Sequence, residues 1–584
     1  MPLNFSNVNF LWASILVETL YQLGLKIALV CPGSRSAPLA VEFAQHPQIE
    51  SIPILDERSA AFFALGLAQR SQNPVVVVCT SGTAGANFFP AVIEAKECKI
   101  PLLVLTADRP PESRHCHGGQ TIDQLKLFGT YPNWQLEITL PSLQIERLTY
   151  LRQTLIVAWE RSQFPVAGPV HLNLPFADPL APLLESNTQA LFPILRPDSF
   201  FRRVGSNVSY RQIINEPFDY SFPPNGLIIA GLAQPPNPES YSRAIAQLSQ
   251  LLQFPVLAEA LSPIRNYASL NPNLISTYDL ILRHSEWADQ LKPQVVIQIG
   301  ALSTSKELRH WLEPQQVDGW IIDPSDRNLD PLHGCTTHLR VSIEEFLQIL
   351  TNQSPYPQNQ SHSYLQQWKE LEIHVRTHLD RTLTELTDGF EGKVAWILSQ
   401  HLPAHTPLFV ANSMPSRDME WFWAPSDRAI QPYFNRGGGN GIDGILSTAL
   451  GVAHRNRPTV LLTGDLSLLH DTNGLLLFPQ FVGHLTILLI NNRGGGIFEL
   501  LPISQFDPPF ENFFSTPQSV EFGALATAYG IEYELIHNWQ QLQQKIQQLP
   551  QTGIRLLEFR CDRKADAQWR KLHLGEKIQS DGKN

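Results

Sequence analysis

TVLLTGDLS (residues 459–467) and LTILLINNRGGG (residues 485–496) each drive a short apolar run straight into a polar pair, Gly464-Asp465 in the first and Asn491-Asn492 in the second. Near-continuous apolar strands of this length belong to parallel sheets covered on both faces. In open parallel sheets ligands bind beyond the carboxyl ends of the strands, so the acid and the amide stand where chemistry is expected. A hard divalent cation takes oxygen ligands, and Mg²⁺ accepts a few from protein while phosphate and water fill the rest. The Asp465 carboxylate, the Asn492 side-chain carbonyl and the Gly494 main-chain carbonyl would supply three, and the glycines let the backbone approach a diphosphate. Either polar pair alone reads as turn chemistry; the two together at strand ends are far more specific.

Outward from this pair, PLFVANS and IRLLEFR supply further strands of the same segment, with helices such as ILSTALGVAH between them. The same alternation opens the chain, in KIALV, VVVVC, IPLLVL and GPVHLNLPF, and ends near Phe176. A Pro- and Asn-containing stretch to about residue 225 leads into GLIIAGL, FPVLAEA, PQVVIQIG and GWIIDP, and TNQSPYPQNQSHS (351–363) reads as a linker. The expected fold class is therefore α/β, with three doubly wound parallel-sheet domains at 1–185, 186–362 and 363–584. The likeness of the first and third segments is architectural, without a letter-by-letter repeat.

A length of 584 residues suits about three cores. The longest apolar candidate for a membrane span, LLLFPQFVGHLTILLI, is broken by Pro479, Gly483 and His484. The N-terminal MPLNFSNVNFLWASILVETLYQLG lacks a basic region and a cleavage site and carries apolar residues at helical spacing, as the first helix of a cytoplasmic enzyme would. The 6 cysteines (31, 79, 98, 116, 335 and 561) form no CxxC pair and read as reduced thiols. A net charge of −11 argues against a general nucleic-acid or anionic-membrane surface, so an anionic ligand must be met by local arginines.

Those arginines recur on expected loops: Arg35 in CPGSRSAP, Arg109 in TADRPPE, Arg417 in NSMPSRD and Arg436 in FNRGGGNGIDG. Each alone reads equally well as a surface ion pair; together on one cleft they would suit a substrate set with several carboxylates. ILDERSAAFFALGLA (54–68) places three charged residues ahead of an apolar helical run. Acidic groups suit a helix N-terminus, so capping is the plain reading of Asp56 and Glu57.

GD followed by NN at this separation resembles the signature of the thiamine-diphosphate-dependent decarboxylase family, to which pyruvate decarboxylase and acetolactate synthase belong. The resemblance implies thiamine diphosphate held with Mg²⁺ or Mn²⁺ by Asp465, Asn492 and Gly494, with Ser413, Ile442, Gly464, Leu466, Ser467, Gly495 and Ile497 also at the cofactor. It implies that LDERSA is the acidic site of the first domain, making Glu57 the catalytic carboxyl that hydrogen-bonds the aminopyrimidine ring and promotes formation of the thiazolium ylide. It implies sites shared between two subunits, hence a homodimer or a tetramer built from dimers. Ile442 would prop the cofactor in its bent shape.

CPGSRS, LDER, TSGTAGAN, LTADRPPE, NSMPSRD, NRGGGNGIDG and NNRGGGIFELLP are together similar to the branch of that family serving menaquinone and phylloquinone biosynthesis. The likeness runs through the first and third domains and thins in the second, where GALSTSKELRHWLE matches one position, Lys306. It implies decarboxylation of 2-oxoglutarate and addition of the succinyl carbanion equivalent to isochorismate. Substrate contacts would fall on Ser34, Arg35, Arg109, Gln120, Lys306, Ser413, Arg417 and Arg436, with Ile497, Phe498 and Leu501 as an apolar wall or as plain helix packing. NRGGGNGIDG is one residue longer than the branch pattern, and Gly119 precedes Gln120 in place of a polar side chain. The rival readings are a simple 2-oxoacid decarboxylase, which the arginines oppose, and a silent cofactor-binding paralogue, which Glu57, Asp465 and Asn492 oppose. The glycines at 437–441 lack the GxGxxG spacing of a dinucleotide site.

Overall fold

The computed structural model describes residues 3–193, 195–202, 204–205, 222–315, 317–352 and 362–574. Its apolar runs form three six-stranded sheets, all parallel. The first contains β1 (Ile27–Val30), β2 (Glu50–Pro53), β3 (Val75–Cys79), β4 (Leu102–Asp108), β5 (Trp134–Glu137) and β6 (Pro169–Pro175), in the order β2-β1-β3-β4-β6-β5. The second contains β7 (Gly226–Ala230), β8 (Val256–Ala258), β9 (Leu274–Ile275), β10 (Val295–Ile299), β11 (Asp318–Ile322) and β12 (Thr336–Leu339), in the order β12-β11-β10-β7-β8-β9. The third contains β13 (Pro407–Val410), β14 (Gln431–Tyr433), β15 (Thr459–Gly464), β16 (His484–Asn491), β17 (Glu532–Ile536) and β18 (Gly553–Arg560), in the order β14-β13-β15-β16-β18-β17. The third sheet thus repeats the strand order of the first, which is the architectural likeness expected from the sequence.

The central strands β3, β4 and β16 are buried along their whole length, as helices on both faces require. On the first sheet those helices include Val8–Leu23 and Ile145–Arg161, whose Leu11, Ile15, Leu16, Leu148, Leu151 and Leu155 are fully buried. Burying a side chain of this size contributes about 1.5–3 kcal/mol. Asn7 caps the N-terminal helix by accepting from the Asn9 and Phe10 N–H groups, and Gly24 ends it at φ 117°.

The chain forms two compact units, Met1–Ile214 with Asn435–Arg455 and His470–Val482, and Asn215–Phe434 with Asn456–Leu469 and Gly483–Asn584. The first sheet lies in the first unit and the other two in the second. The division at 1–185, 186–362 and 363–584 stands as a proposal, each span holding one sheet.

Within the first unit, helix Glu57–Ser71 crosses helix Ile445–Ala453 at the closest range side chains permit. A Cβ on Gly66 would sit 2.0 Å from the Thr448 carbonyl oxygen, and one on Gly451 would sit 2.2 Å from that of Phe63. Gln69 Nε2 donates to Asn435 Oδ1 at 3.0 Å and Arg70 Nη1 donates to the His454 carbonyl at 2.7 Å. Such a crossing fixes the middle and end of the helix that begins at Glu57.

The linker read at 351–363 is shorter than expected: Thr351 and Asn352 close helix Ile343–Asn352, and helix His362–Glu385 begins within it. Its remaining residues, 353–361, lie outside the described residues. LLLFPQFVGHLTILLI divides between the 3-10 turn Thr472–Gln480 and β16, and among the described residues no helix is long and apolar enough to cross a membrane.

Candidate active site

In the third sheet β13 and β15 lie side by side although the chain leaves them toward opposite edges, so the crevice beyond their carboxyl ends is a topological switch point. Asn412 and Ser413 follow β13, Gly464-Asp465 ends β15, and Asn492 follows β16. The loops carrying Gly464-Asp465 and Asn491-Asn492 are joined there: the Gly494 N–H donates to Asp465 Oδ2 at 2.8 Å, while the Leu466 N–H donates to Oδ1 at 2.9 Å. Burial pushes the Asp465 carboxyl up to about 6, with these two N–H groups pulling it down. Asn492 Nδ2 donates to Glu391 Oε2 at 2.9 Å, whereas its Oδ1 is buried with no partner among the described residues. Ser467 Oγ is buried and unpartnered in the same way. A buried carboxylate and an unsatisfied amide oxygen on two hydrogen-bonded loops fit an oxygen-loving cation.

Gly494 has φ 132°, and a Cβ there would lie 2.4 Å from the Ser515 carbonyl oxygen, so only glycine passes. Its own carbonyl accepts from the Gly496 N–H at 2.9 Å and keeps a second lone pair. The Gly495 N–H donates to the Ser515 carbonyl at 2.7 Å. Ile497 and Phe498 sit on the 3-10 turn Gly496–Leu500 with Leu501 just beyond, all half-buried. The Phe498 ring meets Phe514 edge-on at 5.9 Å, so part of its apolar surface packs locally. Arg563 fastens the segment through Glu499 at 2.9 Å and the Arg493 carbonyl at 3.0 Å.

Ser413 is held at φ 71° and ψ −130°, a strained backbone for a side-chain-bearing residue, at the start of helix Met414–Phe422. Its carbonyl accepts from Arg417 Nη1 at 2.7 Å. Lys306 is exposed at the first position of helix Lys306–Leu312 in the same unit.

The first sheet has its own switch point between β1 and β3. Ser34 is exposed and Arg35 buried just after β1, and Arg109 follows β4. Arg35 Nη1 donates to the Phe176 carbonyl at 2.8 Å and stands 3.6 Å from Asp178. Burial first, and then the positive charge of Arg109, lowers the Arg35 pKa. The Nε atoms of Arg35 and Arg109 are both buried with no partner among the described residues, which suits an anion. Gln120 (φ 55°) donates from Nε2 to the Ser81 carbonyl at 3.1 Å and accepts at its own carbonyl from Ser81 Oγ. At Gly119 a Cβ would meet nothing within 4 Å, so a larger residue would fit.

Asp56, not Glu57, caps helix Glu57–Ser71, accepting from the Ser59 N–H at 3.0 Å and from Asn473 Nδ2 at 2.8 Å. The half-buried Glu57 carboxyl takes no hydrogen bond from any described residue, and its charge helps burial to raise the Cys31 thiol. Arg436 and Ile442 are half-buried in the loop after β14, where the Gly437 N–H donates to Glu94 Oε1 at 3.3 Å. Arg35, Arg109 and Arg436 belong to the first unit and Arg417 to the second.

Three supporting residues escaped the sequence reading. Glu391, Arg570 and Asp418 are buried behind Asn492, with Arg570 Nη1 3.0 Å from Glu391 Oε1 and Nη2 donating to Asp418 Oδ1.

The fold and the site define a thiamine pyrophosphate enzyme. The N-terminal TPP binding domain of these enzymes matches residues 12–127, the middle domain 214–410 and the C-terminal TPP binding domain 422–559. A 2-succinyl-5-enolpyruvyl-6-hydroxy-3-cyclohexene-1-carboxylate synthase of Trichormus variabilis is 58% identical over 582 residues, covering 98% of each chain. One of Gloeothece citriformis is 58% identical over 585 residues, covering 99% of each. The chain belongs to this synthase family within the thiamine pyrophosphate enzymes. In fold it matches a thiamine diphosphate-dependent 4-hydroxybenzoylformate decarboxylase of Rhodococcus jostii RHA1 at a TM-score of 0.67, 14% identity, and coverage of 94% of this chain and 99% of that one.

Proposed function

We propose that this chain decarboxylates 2-oxoglutarate and joins the resulting succinyl carbanion equivalent to isochorismate, giving 2-succinyl-5-enolpyruvyl-6-hydroxy-3-cyclohexene-1-carboxylate and CO2 for menaquinone or phylloquinone biosynthesis. The observation that carries the cofactor chemistry is the buried, unpartnered Asn492 Oδ1 beside the Asp465–Gly494 hydrogen bond at a switch point. Full-length likeness to the synthases supports the choice of substrates. Bound thiamine diphosphate supplies a thiazolium that stabilises the acyl carbanion equivalent.

Asp465, Asn492 and the Gly494 carbonyl would hold Mg²⁺ or Mn²⁺, and Ser467, Gly495 and the strained Ser413 would border the cofactor. Glu57, free of capping duty, would hold and return a proton at its carboxyl. Arg35 with Arg109, together with Arg417 and Arg436, would clamp substrate carboxylates, and Gln120, Ser34 and Lys306 would add polar contacts. Ile497, Phe498, Leu501 and Ile442 would exclude water. A cytoplasmic homodimer with shared sites, or a tetramer of such dimers, completes the reading.

Arg417→Ala and Arg436→Ala should each lower kcat/KM for one substrate about ten- to a hundredfold, since a charge-assisted hydrogen bond is worth about 1.5–3 kcal/mol. Thiamine diphosphate affinity should stay unchanged. Specificity constants for both substrates, measured on each variant, show which carboxylate each arginine serves. The reading itself is tested by the donor: CO2 release should be much faster from 2-oxoglutarate than from pyruvate, whose methyl group leaves the distal carboxylate site unpaired. Equal turnover would point to a simple 2-oxoacid decarboxylase.

A further inference from the structure

An amide ligand is ambiguous to a cation, because its oxygen binds and its NH2 repels. Asn492 can serve only if something decides which end faces the cation. Glu391, 3% exposed at the start of helix Glu391–His401, is placed to decide it. Its Oε2 accepts from Asn492 Nδ2 at 2.9 Å, which turns Oδ1 to the other side, where it is buried with no partner among the described residues. Its Oε1 is held 3.0 Å from Arg570 Nη1, and the other end of that guanidinium receives Asp418 of helix Met414–Phe422, the helix that carries Arg417. Arg570 can only donate, so both Glu391 oxygens are committed as acceptors and Asn492 must present its NH2 to them.

We infer that Glu391 is a positioning residue that selects the metal-binding orientation of the Asn492 amide, with Arg570 locking Glu391 in turn. This rests on the reading of Asn492 as a cation ligand. Partners behind a ligand commonly govern metal affinity about ten- to a hundredfold. Replacing the carboxylate by an amide has a definite consequence. In Glu391→Gln the side-chain oxygen must stay with Arg570, so the new NH2 faces Asn492 and the asparagine amide turns over to accept from it. The cation then meets NH2 in place of oxygen.

The test is Mn²⁺ binding to the full-length protein in the presence of thiamine diphosphate, read as loss of the free-ion electron paramagnetic resonance signal. Asn492→Ala must weaken Mn²⁺ binding; if it does not, the ligand reading fails, and the role of Glu391 with it. Given that weakening, Glu391→Gln should raise the Mn²⁺ Kd about ten- to a hundredfold. The decisive variant is Glu391→Gln with Asn492→Asp, because a carboxylate offers oxygen at both ends and is indifferent to turning over. It should bind Mn²⁺ more tightly than either single variant, since Asn492→Asp alone sets two carboxylates against each other. A general structural role for Glu391 predicts the opposite, a double variant weaker than both. Should Glu391→Gln not fold, the double variant decides alone: folded and binding within about tenfold of the parent supports the selection, and folded without binding overturns it.

Discussion

Glu57→Gln should slow hydrogen–deuterium exchange at the thiazolium C2 of bound thiamine diphosphate by about 10²- to 10⁴-fold, the usual contribution of a positioned acid–base group. Cofactor affinity should hardly change. The expectation follows from a division of labour between neighbouring acids. Asp56 satisfies the Ser59 N–H and so caps the helix, leaving the Glu57 carboxyl without a hydrogen bond from any described residue. An amide in place of that carboxyl would keep the shape but lose the ability to gain and release a proton. Because no cap is lost, thermal unfolding of the apoprotein should move by no more than about 0.5 kcal/mol in stability, as for other substitutions outside the core. Quenched-flow exchange read by proton NMR measures the rate, and an unaltered rate would remove Glu57 from the proton relay.

Asp465→Ala should raise the concentrations of Mg²⁺ and thiamine diphosphate needed for half-saturation together, each by about a hundredfold or more, since even indirect partners of a ligand cost ten- to a hundredfold. The two must rise together because cation and diphosphate complete each other's site and are thermodynamically linked. The same substitution removes the acceptor of the Leu466 and Gly494 N–H groups, so the GD and NN loops lose the hydrogen bond that joins them. Titrating each component at saturating levels of the other by tryptophan fluorescence separates the effects. Unchanged metal dependence would mean that another residue is the ligand.

The parts of this site that were legible in the sequence are those whose chemistry is local. A buried strand ending in Gly464-Asp465 or Asn491-Asn492 announces both its sheet and its loop within a few residues. The strands that went unread, among them β5 (WQLE), β12 (TTHL), β14 (QPY) and β17 (EYELI), are short, largely half-buried and carry polar residues, so they lack the continuous apolar signal of β3 or β16. The linker was overdrawn because Thr351, Asn352 and His362 look like loop composition although they stand at the ends of helices, the first of which is anchored by the buried Ile343, Phe346 and Leu350. In LDER the acids could be cap or catalyst, and only the side-chain geometry assigned the cap to Asp56. Glu391 and Arg570 gave no sequence signal because their partners, Asn492 and Asp418, lie at 101 and 152 positions' distance.

The most direct test of the central claim is product analysis by chromatography and mass spectrometry after the protein is mixed with thiamine diphosphate, Mg²⁺, 2-oxoglutarate and isochorismate. The expected product is 2-succinyl-5-enolpyruvyl-6-hydroxy-3-cyclohexene-1-carboxylate with one CO2 per turnover, and without isochorismate only slow release of succinic semialdehyde. Succinic semialdehyde at the same rate with and without isochorismate, and no adduct, would contradict it.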